Sequence, residues 1–196
     1  MLLVVGLGNP GRRYRGTRHN LGRAVVERLA TDFDVRLDDD GWARTGRARV
    51  GDATMILAIP ETFMNESGVA VRDLLRQRRR RPADLLVVHD DLDLPPGRLR
   101  LRPGDGTGGH NGLRSIIDQI GTGAFPRLRI GIGRPPAGVD PVDFVLERVA
   151  PDESPQVDEA IARAAEAVAT VAREGLEAAM NRFNRRATPP AAVPTP

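Results

Sequence analysis

Leu2 to Asn20 reads L-L-V-V-G-L-G-N-P-G-R-R-Y-R-G-T-R-H-N. Its apolar start, Leu2–Val5, is a short continuous run that predicts a buried central strand. Gly6, Gly8, Gly11 and Pro10 then break regular structure and let backbone bend or approach a neighbour closely. Leu21, Ala24, Val25 and Leu29 recur at helical spacing, which predicts a helix over about Asn20–Ala30. Strand, polar loop and helix in that order open an α/β fold. The loop itself has two readings. Gly6, Gly8 and Gly11 match the G-x-G-x-x-G of a dinucleotide cradle, with Asp38 roughly where a ribose-binding acid would stand. Alternatively, Asn9, Tyr14, His19 and Asn20 are the working groups. Pro10 and the stretch Arg12–Arg18 hold the helix back to about Asn20, where a dinucleotide site starts it inside the glycines.

Outward from this stretch, strands and helices alternate. Trp42–Val50 and Thr54–Ile59 flank Gly51-Asp52 and predict a hairpin, which is not the parallel crossover of a dinucleotide fold. Ser67 is a candidate N-cap for a helix to about Arg79. Asp84–His89 contains L-L-V-V, a second buried strand, and Asp90–Pro96 reads as an acidic loop. Arg98–Arg102 alternates arginine with leucine, the period of a half-buried strand. Pro103–Gly112 is glycine-rich, Leu113–Ile120 helical, and Arg127–Gly133 a strand with Leu128, Ile130 and Ile132 inward. Asp140–Leu146 predicts a short helix, Asp152–Glu174 a long alanine-rich one, and Leu176–Phe183 its continuation after Gly175. The expected architecture is one α/β domain over 1–185, a mixed central sheet sandwiched by helices, with a disordered Pro/Ala/Thr-rich tail over 186–196. The loops after Gly6, Ile59 and His89 then share one rim of the sheet, where α/β ligand sites lie.

Composition removes several chemistries. The chain has no cysteine, so no thiol nucleophile, thiolate metal site or disulfide framework. It has no lysine, so no Schiff base. All its non-histidine bases are arginine, and the formal net charge is only +3, so nucleic acid is suggested by where arginines cluster and not by their sum. No apolar run approaches the ~20 residues of a membrane span, and no export signal is evident, which points to the cytoplasm. Ser67, Ser115 and Ser154 are the only serines, and none sits in G-x-S-x-G. Activated water is the simplest attacking group, and histidine the base that can activate it near neutral pH.

His19, His89 and His110 each adjoin asparagine or aspartate. Asp90, Asp91 and Asp93 are candidate carboxylates to hold an imidazole tautomer, or turn residues before Pro95-Pro96-Gly97. The run His89–Asp93 also offers N and O metal ligands, without H-E-x-x-H or a paired-histidine spacing. Asn9, Asn65 and Asn111 sit among turn residues, as turn formers or as fixed amides around a substrate carbonyl or water. Arg98, Arg100 and Arg102, with Arg127 and Arg129, fall on single sides of two strands and suit a phosphate path. Aromatic residues are too few for a base-stacking platform.

Six blocks occur in order: G-L-G-N-P-G (Gly6–Gly11), T-R-H-N (Thr17–Asn20), T-F-M-N-E-S-G (Thr62–Gly68), H-D-D-L-D-L-P-P-G (His89–Gly97), G-G-H-N-G (Gly108–Gly112) and R-L-R-I-G-I-G-R-P (Arg127–Pro135). Together they resemble bacterial-type peptidyl-tRNA hydrolase, over Met1 to about Asn184. The resemblance implies hydrolysis of the ester between a peptide and the 3′-terminal ribose of tRNA, recycling tRNA from stalled synthesis. It implies a monomeric, cofactor-free and metal-independent enzyme. It places the catalytic histidine at His19 and its aspartate at Asp90. Asn9, Asn65 and Asn111 match substrate- and water-positioning asparagines, Tyr14 and Met64 match pocket residues, and Arg102 and Arg129 match basic residues contacting tRNA phosphate. Arginine at 102, where many members have lysine, keeps the charge and changes donor geometry. Asp91 stands where glutamate is common, and Asp105 puts an acid into the glycine loop. The rivals are a non-catalytic RNA-binding protein on the same scaffold and a nicotinamide-dependent oxidoreductase.

Overall fold

The computed structural model describes residues 1–104 and 106–185. The tail expected at 186–196 and the acid at Asp105 lie outside the described residues.

The described residues form a mixed seven-stranded sheet in the order β2-β3-β4-β1-β5-β7-β6. The strands are β1 (Leu2–Gly6), β2 (Asp38–Asp40), β3 (Ala43–Val50), β4 (Ala53–Pro60), β5 (Leu85–Asp91), β6 (Leu99–Arg102) and β7 (Arg127–Gly131). β1 lies centrally, parallel to β4 and β5, and β7 runs parallel to β5. The β3–β4 hairpin, β2 and β6 supply the antiparallel pairs. Parallel strands buried on both faces read as unbroken apolar runs, and Leu3–Val5 and Leu85–Val88 are accordingly solvent-free.

Alternate residues serve opposite faces. Val4, Leu57, Leu86, Val88, Leu128 and Ile130 join a core closed by α1 (Leu21–Asp32), α5 (Ser154–Glu174) and α6 (Leu176–Phe183). Leu3, Val5, Ile56, Ala58, Leu85 and Val87 join a second core under α2 (Ser67–Gln77) and α3 (Asn111–Ile120). A short α4 (Pro141–Leu146) carries the N-cap Asp140, whose side chain accepts the N–H of Val142. The α/β sandwich is the architecture expected, and the carboxyl ends of β1, β4 and β5 share one rim.

Several local expectations change. Ser67 is the first residue of α2 and does not cap it; its Oγ donates to the carbonyl of Met64. Asp90 is not in a loop: β5 runs on through it to Asp91 because both pair with β7. His89 is likewise a strand residue. β6 begins at Leu99, outside Arg98. α3 begins at Asn111, two positions before the first apolar residue of its pattern, because His110 caps it. The strand expected to Gly133 ends at Gly131. Asp38 lies on the edge strand β2, with β3 and β4 between it and β1, and α1 does not start until Leu21. The ribose carboxylate and helix N-terminus of a dinucleotide site are therefore both missing from the glycine loop.

Asn184 closes the exposed edge of β6. Its Nδ2 donates to the Leu101 carbonyl (3.0 Å) and its Oδ1 accepts the Leu101 N–H (2.7 Å), imitating one rung of a missing strand.

Candidate active site

Glycine sets the depth at which the rim is built. A Cβ on Gly22 would stand 2.1 Å from the carbonyl of Val88, and one on Gly6 would stand 2.2 Å from the carbonyl of Gly22. The first turn of α1 therefore lies directly against the ends of β1 and β5. Leu7 N–H donates to Val88 (3.0 Å) and Arg23 N–H to Leu7 (2.9 Å), which fixes the contact. The 3₁₀ turn Arg18–Asn20 just ahead of α1 is thereby carried to the end of β5, where Asp90 lies.

His19 Nδ1 meets both oxygens of Asp90, at 2.9 and 3.1 Å, and both side chains are buried. An ionised carboxylate only accepts, so Nδ1 carries a proton, and in the neutral form of this cavity-lining ring Nε2 then holds the lone pair. His110 adds a second bond to the same carboxylate. Its Nδ1 accepts the N–H of Gly112 at 3.1 Å and, more weakly, that of Leu113 at 3.4 Å, capping α3. That leaves the proton on Nε2, which donates to Asp90 Oδ1 at 3.1 Å. Two imidazoles, with ring centroids 4.7 Å apart, thus converge on one carboxylate. Burial by itself raises the Asp90 carboxyl, but the attraction of His19 and His110 and their hydrogen bonds outweigh it and hold the group well below the usual carboxylate range.

His89 lies behind this pair and donates from Nδ1 to the Asp90 carbonyl (2.6 Å). Its Nε2 is buried without a partner among the described residues. Burial, with His110 adding to it, pushes the imidazole down to about 3, so His89 is neutral and takes no part as a base near pH 7.

The metal reading of His89–Asp93 does not assemble. Asp91 pairs with Arg129, Asp93 with Arg134, and His89 with a backbone carbonyl. The cluster that does assemble is His19, Asp90 and His110, with one ligand atom from each within 4.8 Å of the others. Nε2 of His110 bears the proton that the α3 cap places there, so a cation in this trio would have to break the cap. The donor set fits a proton-linked pair better than a ligand set.

A cavity of ≈ 790 Å³ opens over this cluster, lined among others by Asn9, Tyr14, His19, Met64, Asn65, Asp90, Asn111 and Arg129. Eight of the nine residues singled out from sequence therefore reach one space, although they come from five separate stretches. Asn9 is held on both sides: its Oδ1 accepts the Met64 N–H (2.8 Å), while its own N–H donates to Asn20 Oδ1 (2.8 Å) and its carbonyl accepts from Asn20 Nδ2 (3.0 Å). This leaves the Asn9 Nδ2 donors for the cavity. Asn65 and Asn111 are exposed, and no hydrogen bond among the described residues spends their amides. Tyr14 meets the exposed Phe63 edge-on, centroids 6.4 Å apart, at one end of the cavity.

Arg102 is the residue that does not line the cavity. It lies half-buried on β6, opposite Arg127, two register positions from the Arg100–Arg129 pair. Leu99 and Leu101 turn to the α1 face, so these four arginines share the other, beyond the cover of α3. Arg127 is nevertheless 1% exposed and is no surface cation: it donates to the carbonyls of Gly106 and Gly123 and stacks over Phe125 at 4.4 Å, tying down the glycine loop. Arg129 donates to Asp91, so its charge is already paired with a carboxylate.

Three contributors escaped the sequence reading. His110 was seen only as one of three histidines; the cue to its position was G-G-H-N-G before an apolar helical pattern. Asn20 stood among the loop's candidate working groups, but its part, holding the backbone of Asn9, had no cue. Arg18 had no cue at all. It donates to Glu153 (2.6 Å), stacks on Phe144 (4.4 Å) and lies near Glu147 (3.6 Å), so it pins the His19 turn to α4 and to the start of α5 across 135 positions of sequence.

A sequence model described as peptidyl-tRNA hydrolase matches residues 3–191. A peptidyl-tRNA hydrolase of Dehalococcoides mccartyi strain BAV1 is 50% identical over 188 residues, covering 94% of this chain and all of the relative. One of Rubrobacter xylanophilus is also 50% identical over 188 residues, covering 93% and 100%. The crystal structure of peptidyl-tRNA hydrolase from Acinetobacter baumannii superposes with a TM-score of 0.88 at 39% identity, over 94% of each chain. With the His–Asp pair, the amide-lined cavity and the sheet order in place, these likenesses run the length of the molecule: the chain belongs to the peptidyl-tRNA hydrolase family of ester hydrolases.

Proposed function

We propose that the protein hydrolyses the ester joining a peptide, or an N-blocked aminoacyl group, to the 3′-terminal ribose of tRNA, and so returns tRNA to translation. The observation that carries this reading is the buried His19–Asp90 pair, whose imidazole lines a cavity ringed by amides. His19 Nε2 takes a proton from water as the oxygen attacks the ester carbonyl carbon. Asp90, at 2.9 Å, stabilises the imidazolium that forms. Amides of Asn9, Asn65 and Asn111 hold the acyl end and the developing oxyanion. Collapse breaks the bond to the ribose oxygen, which takes the proton back from His19. An ester to a ribose hydroxyl is a comparatively easy acyl-transfer substrate, so no covalent nucleophile is needed. Tyr14 and Met64 shape the acyl end of the cavity, and Arg102 and Arg129 receive RNA phosphates. No metal or cofactor enters the chemistry. A cytoplasmic monomer beside the ribosome is the working form. Among the described residues no helix is long and apolar enough to cross a membrane.

The test is incubation of the protein with a purified N-blocked aminoacyl-tRNA, with and without a chelator, following free tRNA. Chelator-insensitive turnover is expected, falling about 10²–10⁴-fold in His19→Ala while tRNA binding persists. Binding without turnover makes the protein an RNA-binding module; chelator-sensitive turnover overturns the water-and-histidine mechanism; near-full turnover in His19→Ala removes the base from His19.

A further inference from the structure

The loop that carries Asn9 and His19 also carries three arginines that this chemistry does not use. Arg12, Arg13 and Arg15 lie on and beside the 3₁₀ turn Arg12–Tyr14, and all three are exposed. The turn is built, not slack. Gly11 (φ 94°) and Gly16 (φ 76°) bracket it in conformations that L side chains avoid. Tyr14 N–H donates to the Gly11 carbonyl (3.3 Å), and the N–H and Oγ1 of the buried Thr17 both donate to the Tyr14 carbonyl. The three guanidinium groups therefore project from a fixed ridge.

Their charge is unanswered. Among the described residues none of the three has a carboxylate partner, whereas the arginines around them do. Arg18 is paired with Glu153, Arg23 with Glu27 and Glu61, and Arg44 with Glu61. A second cavity, of ≈ 540 Å³, runs along the back of the ridge and is lined by Arg12, Arg15 and Asp158, with Asp158 bonded to none of them. The ridge thus gathers three guanidinium groups without carboxylate partners among the described residues, beside arginines that have them.

Its place along the rim decides what it meets. The strand order β4-β1-β5-β7 lays the cavity out in sequence: Phe63, Met64 and Asn65 after β4, Asn9 and Tyr14 after β1, Asp90 at the end of β5, Arg129 on β7. The arginine face of β6 and β7 is at one end and the Tyr14–Phe63 pair at the other. Arg13 lies over the Tyr14 ring, its Cζ 5.6 Å from the centroid, and so stands on that second end. An RNA that enters from the β6–β7 side terminates at the ester, over His19. Only the acyl chain continues past Tyr14.

We infer that Arg12, Arg13 and Arg15 form a subsite for acidic side chains of the peptide, in the second to fourth residues counted from the ester. The inference rests on the peptidyl-tRNA hydrolysis proposed above. An extended chain advances ~3.3–3.6 Å per residue, so the ester-linked residue fills the space by Asn9 and the following ones cross the Tyr14–Phe63 edge to the ridge. The contact is made at an exposed surface, where an ion pair is worth a factor of roughly two to five and is screened by salt.

The test uses three substrates with one tRNA and one ester-linked alanine, preceded by two aspartates, two asparagines or two lysines and an N-acetyl cap. kcat/KM is expected to fall in the order Asp, Asn, Lys, by about two- to fivefold at each step at low salt. The Asp-to-Lys ratio should shrink toward one in 0.5 M NaCl on the order of the screening expected there. In the Arg12→Gln/Arg13→Gln/Arg15→Gln variant the ratio should collapse to about one at any salt. Equal turnover of all three substrates by the unaltered protein overturns the subsite and leaves the hydrolase reading standing. If the triple variant slows all three substrates alike, the ridge binds RNA and the assignment to peptide is wrong. Turnover of none of them overturns both readings.

Discussion

His110 has two bonds to make, and they separate cleanly. Its Nδ1 caps α3, and its Nε2–H steadies the carboxylate that orients His19. Asparagine is among the best N-caps but is too short to replace Nε2. His110→Asn is therefore expected to keep the thermal midpoint within a few degrees while lowering kcat about tenfold, since hydrogen bonds to charged groups are worth roughly 1.5–3 kcal/mol in all. Equal losses in stability and kcat would reduce His110 to a cap. His89 makes a different prediction. Its folded-state value near 3 lies below the ~6.5 of an unfolded histidine. The unfolded chain thus binds the extra proton between these values, and stability must fall as pH drops through that window. From pH 7 to pH 5 the loss is about 2 kcal/mol from this residue. Urea denaturation of the unaltered protein and of His89→Asn at both pH values measures it, and the variant should lack that share of the slope. Parallel slopes would mean that His89 is protonated or relieved in the fold. Asp90, held low, contributes in the same direction over a more acidic window: its share is present above the ordinary carboxylate range and is lost as pH falls below it.

At the scale of elements, the site depends on how closely α1 lies against the sheet. Gly22 touches the Val88 carbonyl with no room for a methyl group. Gly22→Ala must displace the first turn of α1, and with it the turn that holds His19. Overpacking of this kind costs about 1–3 kcal/mol. Because His19 shifts with the helix, kcat is expected to fall by an order of magnitude or more on the grounds that small misplacements of a catalytic group are costly. Chemical denaturation and single-turnover kinetics on the same variant give the two numbers; a loss of stability with kcat intact would show that the turn is positioned by Arg18 and Asn20 alone. Those two residues are the remaining anchors. Arg18 reaches forward to Phe144 and Glu153, and Asn20 back to the backbone of Asn9.

Over the whole molecule, charge is sorted by place and hardly at all by sum. A net charge of +3 spread evenly would attract RNA feebly. Instead, Arg100, Arg102 and Arg129 are gathered on the part of the sheet that α3 leaves uncovered. Arg102→Gln and Arg129→Gln should each weaken tRNA binding across all sequences and reduce the slope of log K against log salt by about one. Filter binding over a range of NaCl concentrations measures both slopes. Unchanged slopes in both variants would remove the phosphate clamp from this face.

The apolar runs Leu2–Val5 and Leu85–Val88, the hairpin about Gly51-Asp52 and the alanine-rich periodicity of α5 were legible in the sequence. Each is a local pattern, set by the period of a strand or helix. The six ordered blocks carried the family as well, and residue types alone removed thiol, Schiff-base and serine chemistry. What needed the tertiary structure was every property that depends on a neighbour distant in the chain. The ladder with β7 turned Asp90 from a loop residue into a strand residue. The glycine loop buried Arg127, which alternation alone had placed beside Arg129 in the open. The α3 cap chose the tautomer of His110, and packing of Gly22 on Val88 set the distance from His19 to Asp90. Periodicity records which face a side chain leaves from; only the fold decides what stands there to receive it.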